Sequence, residues 1–185
     1  MHDATSSDAP PQAGDPRYPV GRFAPPVQST VEDRLHAIKN LARLPEELRQ
    51  ALRGLHADQQ ETPYRDGGWT VRQLVHHIAD SHMTAFWRLK KALTEDWPVV
   101  QGYDEKLFAE MEDSSAPIEW SLEILEAVHA RWVMLLQHLE EAQWQRGFTH
   151  AERGRMTIEY ATLLYAWHSL HHVAHITHLR REKKW

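Results

Sequence analysis

The 185-residue sequence contains no cysteine. That excludes disulfides, redox thiols and a protein thiol nucleophile, and it leaves His, Asp and Glu to build any transition-metal site. No apolar run approaches the ~20 residues needed to span a bilayer, so no membrane span is expected. The opening stretch MHDATSSDAPPQAGDPRYP has neither a basic nor an apolar region, so it does not read as a secretory signal. A cytoplasmic location is the default expectation. A long basic block is missing too. Formal net charge is −5, and the short tail Arg180–Lys184 serves a helix C-terminus better than a nucleic acid. No nucleic-acid partner is expected.

Histidine and tryptophan are present in excess. There are 14 histidines and 8 tryptophans, in a composition otherwise ordinary for one globular domain. Eight histidines fall in two windows: His76, His77 and His82, then His168, His171, His172, His175 and His178. Surplus tryptophans such as Trp87 and Trp120 suit either a core or an interface.

Residues 1–28 hold six of the ten prolines and read as an extended or flexible N-terminal arm, with aromatic anchors in YPVGRF. Residues 29–185 read as one helical domain. Thr30 caps a first helix bearing Val31, Leu35, Ile38 and Leu41. Pro45 is expected to interrupt it and open a separate segment, Pro45–Leu55. Thr62–Trp69 is a loop in which Gly67 and Gly68 permit a tight turn; with Arg65 it could also shape the mouth of a site. Thr70 caps a long helix to about Leu93. A crossover from Asp96 to Ser115 carries a short helix near Asp104–Met111. Pro117 opens a helix whose seam is Ile118, Leu122, Leu125, His129, Trp132, Leu136 and Leu139. Arg146–Met156 reads as a loop, and Thr157 caps a last helix to about Glu182. No segment alternates convincingly as a strand. Four main helices with one apolar face each make an all-α four-helix bundle. The long crossover permits the second and third of them to run parallel.

The last helix carries the chemistry. Its seam reads Ile158, Ala161, Tyr165, His168, His172, His175, Leu179, so three histidines continue an apolar stripe. His168 and His172 are four apart and can converge on one ion. A metal satisfies one nitrogen on each of several buried rings at once; separate hydrogen bonds are the blander alternative. A third ligand must come from another helix. Periodicity points to His82 in the middle of the second helix's apolar face, with His77 at its edge and His76 opposite, but does not decide among them. Asp80 could orient a ligand ring or be a solvated carboxylate. His129 and Trp132 could line a pocket or be core. Tyr165 suits the core better than a pocket. His175 could be a fourth ligand or a supporting group.

TPYRDGGWTVRQLVHHIADSHM, YDEK at Tyr103–Lys106, RGFTH at Arg146–His150 and WHSLHHVAHIT resemble the YfiT-like branch of the DinB superfamily, and YPVGRF is similar to its N-terminal segment. The similarity runs from Tyr18 onward. It implies a four-helix bundle, a homodimer in the cytoplasm, and one divalent metal ion per subunit, zinc ahead of nickel. It implies His77, His168 and His172 as the ligands, so it selects His77 over His82.

A three-histidine site leaves a coordination position open. An ion there can activate water, which makes a metal-dependent hydrolase of a small molecule the first expectation. The resemblance also implies thiol S-transfer, with bacillithiol or another low-molecular-weight thiol attacking an electrophile. A non-catalytic metal-binding stress-response bundle is the third. The catalytic group beyond the ion, metal-bound water or thiolate, is not assigned.

Overall fold

The computed structural model describes residues 15–185. The part of the expected arm before residue 15 therefore lies outside the described residues. The chain forms α1 (Val31–Leu52), α2 (Ala57–Gln60), α3 (Val71–Thr94), β1 (Val99–Val100), α4 (Glu105–Ala109), α5 (Ile118–Gln137), β2 (Gly147–His150), β3 (Gly154–Thr157) and α6 (Ile158–Lys183). The predicted helix starts hold. Thr30 and Thr70 each complete a reciprocal capping box with the residue three positions on, and Thr157 accepts from the Tyr160 backbone N–H.

Two expectations are corrected. Pro45 does not break the first helix; α1 runs through it. Proline costs a helix the bond from its own nitrogen to the carbonyl four residues earlier, here that of Leu41. His129 of α5 donates to this Leu41 carbonyl at 2.6 Å, which supplies the missing donor. Arg146–Met156 is not a plain loop either. It holds β2 and most of β3, paired antiparallel with Phe148 opposite Met156, while β1 joins β2 in parallel. Each strand has four residues or fewer, too short for alternation to show. Gly147 is required there: a Cβ would meet the Met156 carbonyl oxygen at 2.2 Å.

Side-chain pairs give the helix directions. His76 meets Ser121 and His82 meets His129, so α3 and α5 run parallel, as the long crossover permits. Arg34 meets Glu159 and Arg180 reaches the Ala51 carbonyl, so α1 and α6 run parallel as well. His77 lies against His172 and His82 against His168, which makes α3 and α6 antiparallel. Each of α1 and α3 packs on both α5 and α6. The apolar core divides into two clusters, one around Leu48, Leu74 and Ile176, the other around Leu41, Phe86 and Trp132. His82 on α3 and His168, His171, His172 and His175 on α6 fall between them. Among the described residues, no helix is long and apolar enough to cross a membrane.

Candidate metal centre

Two helices build the centre. α3 contributes His77, and α6 contributes His168 and His172 one turn apart. One nitrogen from each of the three rings lies within 4.8 Å of the other two. His77 and His172 are buried, and His168 is partly open to the cavity in front of them. Nε2 of His168 stands 3.0 Å from Nε2 of His172. Burial pushes the His77 pKa down to about 4 and holds His168 and His172 well below the ordinary value. All three are neutral at pH 7, the form that binds metal. Neutral imidazoles whose nitrogens converge, with no carboxylate in the group, fit a divalent transition-metal ion.

His82, which periodicity favours, is not available as a ligand. It is fully buried and both ring nitrogens are engaged, Nδ1 with His129 at 2.9 Å and Nε2 with His168 at 3.0 Å. Periodicity finds the centre of the apolar face, whereas the cavity opens at its edge, where His77 lies. His76 is also spoken for, by Ser121 and the Ala116 carbonyl. His129 is only 1 % exposed and does not line the cavity; with Trp132 it belongs to the core. Tyr165, expected in the core, does reach the cavity wall. Asp80 makes no hydrogen bond to a ligand ring. Its electrostatic neighbours are Asp113, His76 and Tyr103, and burial raises its pKa. His175 packs on Tyr64 with ring centroids 4.2 Å apart and groups with His171 and His172 in a second set of converging nitrogens. Burial lowers the His175 pKa to about 3.

The cavity has a volume of about 790 Å³. The N-terminal arm closes one side of it: Tyr18 lies 6.2 Å from the His171 ring, and the Gly21 carbonyl accepts from Trp167 Nε1 at 3.1 Å. The Thr62–Trp69 loop does shape the mouth, through Tyr64, Arg65 and Trp69. The charges of the wall were not foreseen. Arg17, Arg22, Arg65, Arg88 and Arg153 line it, against two carboxylates, Glu105 and Glu152. Arg88 is 6 % exposed. One of its terminal nitrogens donates to the Gln101 carbonyl, its Nε has no partner, and among the described residues no carboxylate pairs with it. The Tyr103 hydroxyl lies beside Ser81, and burial pushes its pKa up. A charged residue beside Phe86 and Leu89 on a buried helix face was the available signal for Arg88.

Fold and site together define a helical bundle with a histidine-built, cation-walled cavity. The sequence profile of the DinB superfamily matches residues 40–176, and the chain belongs to that superfamily. A Bacillus cereus protein (strain ATCC 10987) is 46% identical over 171 residues, covering 92% of this chain and 99% of its own. YfiT of Bacillus subtilis (strain 168) is 45% identical over 170 residues, covering 91% and 96%. Both names assign those proteins provisionally to metal-dependent hydrolases. The solved structure of Bacillus subtilis YfiT, a four-helix bundle of unusual topology, superposes with a TM-score of 0.89 over 92% of this chain and 98% of that one. The four-helix bundle protein TT2238, at 19% identity and a TM-score of 0.52, shares the fold.

Proposed function

We propose that this chain is a metal-dependent hydrolase of a small anionic molecule, with one divalent ion held by His77, His168 and His172. The convergence of these three imidazoles on a cavity wall carries the reading. An ion held by three histidines keeps an exchangeable position and acidifies water or a thiol that occupies it. The rest is done by the protein. Buried Arg88 has no carboxylate at ion-pair distance, only the more distant charge of Glu105, and a buried guanidinium in that state favours an incoming anion. Arg17 is paired with Asp15, and the other four arginines against Glu105 and Glu152 still leave the wall net positive in a chain of net charge −5, which draws anions in. Trp69 and Trp167 give the cavity apolar wall.

A second reading, thiol transfer, is favoured by one observation. The group that would hold the ion is histidine alone, and the two wall carboxylates, Glu105 and Glu152, lie outside it. A low-molecular-weight thiol ionised at the ion needs no general base. Elemental analysis of purified protein, followed by assays with carboxylate-bearing esters, amides and phosphates, tests the first reading. Parallel assays with a thiol and an electrophile test the second. Conjugation that requires thiol, without hydrolysis, would replace the first by the second. Metal occupancy without turnover in either panel would leave a non-catalytic binding bundle.

A further inference from the structure

Three histidines form one line of hydrogen bonds that starts on a backbone carbonyl. The Leu41 carbonyl can only accept, so Nδ1 of His129 carries the proton of that 2.6 Å bond. A neutral imidazole has one N–H, which leaves Nε2 of His129 an acceptor. The 2.9 Å bond to it is therefore donated by Nδ1 of His82. Nε2 of His82 is then an acceptor in its turn and takes the 3.0 Å bond from Nδ1 of His168. The count ends with Nε2 of His168 bearing a free lone pair, and this is the atom that faces His172.

We propose that His82 and His129 are positioning residues for His168, setting its Nδ1–H tautomer and ring angle so that Nε2 is presented to the divalent ion. The proposal rests on the metal reading above. Metal-binding imidazoles ordinarily donate their second nitrogen to a carboxylate, a carbonyl or water. Here the role of the carbonyl is transmitted across two rings, from Leu41 on α1 through α5 and α3 to α6. Pro45 makes it possible, because a proline at that position frees the Leu41 carbonyl from its helical donor. The polarity matters as well. A hydroxyl at the end of the line could support either direction of donation, whereas a carbonyl supports one. The reverse direction would put a proton on Nε2 of His168 and block it as a ligand. A merely space-filling role needs none of this, since apolar side chains of similar volume would pack the same gap.

Two measurements test the proposal. Long-range ¹H–¹⁵N correlation on histidine-labelled, chelator-treated protein reads the tautomer of each ring without any metal. Protons on Nδ1 of His129, His82 and His168 are expected; a proton on Nε2 of His82 or His168 overturns the proposal. The second is the zinc dissociation constant by chelator competition, with the Co²⁺ visible spectrum, for wild type, His82→Leu and His82→Gln. His82→Leu is expected to bind zinc roughly 10–100-fold more weakly and to shift the Co²⁺ bands. His82→Gln, whose amide can accept from His168 and donate to His129, is expected to recover most of that loss. Zinc binding by His82→Leu within about twofold of wild type overturns the positioning role. So does His82→Gln binding no tighter than His82→Leu. Should His82→Leu fail to fold, the wild-type tautomers still decide. Wild-type protein that binds neither ion sinks the metal reading and the positioning role with it, while the tautomers report separately on the hydrogen-bonded line.

Discussion

Nε2 of His168 and Nε2 of His172 lie 3.0 Å apart, each ring neutral and shielded by the bundle. Two bare lone pairs repel at that distance, so the nitrogens share either a proton or a cation. With His77 completing the group, the proposed divalent ion would take that place.

Removing the ion should therefore loosen the bundle. A ligand at about 100 times its dissociation constant adds roughly 2.7 kcal/mol to stability. For a chain of this size that is a fall in Tm of roughly 5–10 °C on chelation, restored by adding zinc. Calorimetry checks it. His168→Ala and His172→Ala should each lose the metal by elemental analysis and lose the chelator effect with it. Unchanged metal content in both variants would remove the assignment.

Acid should destabilise the metal-free protein well above the carboxylate range. Burial pushes the His129 pKa from 6.5 down to about 4 in the fold. The unfolded chain takes up the proton near pH 6.5, the folded chain only near 4. Between those values the unfolded state binds more protons, so stability falls as pH falls, and it is fully present above 6.5. The shift corresponds to roughly 3 kcal/mol from this one residue. Urea unfolding of chelator-treated protein from pH 7.5 to 4.5 should show a declining midpoint, shallower in His129→Gln. A flat or rising midpoint on acidification contradicts this.

Arg88→Met keeps the apolar stem and deletes the guanidinium. One charge-assisted hydrogen bond is worth roughly 1.5–3 kcal/mol, so kcat/KM for a carboxylate-bearing ester should fall about 10–100-fold. The matched neutral ester and the metal content should be unaffected. Equal losses on both esters would mean that Arg88 does not read substrate charge.

Pro45→Ala restores the helical donor to the Leu41 carbonyl and lets that carbonyl swing back along the α1 axis. The bond from His129 should weaken. The expected outcome is unusual for a proline-to-alanine change inside a helix: thermal stability holds or rises, while zinc affinity drops several-fold. Parallel melting curves and chelator titrations separate the two effects, and an unchanged affinity would show that the carbonyl was not the anchor.

Much of this was legible in the residues alone. Thr30, Thr70 and Thr157 announced helix starts because capping is local chemistry, satisfied within three residues. The seam of α6 placed His168 and His172 together because a helix has a fixed period. The family resemblance added His77. Other features depended on distant partners. Pro45 reads as a breaker until a side chain 84 positions away is seen to fill the vacated bond, His129 on the carbonyl of Leu41. His82 reads as the better ligand until both of its nitrogens are found occupied by α5 and α6.

The sequence by itself determined the helices, their apolar stripes and the absence of any ligand type but imidazole and carboxylate. It determined the pairing of His168 with His172, since spacing within one helix is a local property. Periodicity left the α3 histidine open and the family resemblance named His77; only the tertiary structure decided that five arginines share the cavity and that Asp80 makes no hydrogen bond to a ligand ring. Those are relations between surfaces of different helices, set by packing angle and direction, and no periodicity within one segment encodes them. The two nitrogens that now stand 3.0 Å apart were legible as a spacing; what presents one of them to an ion lies three helices away.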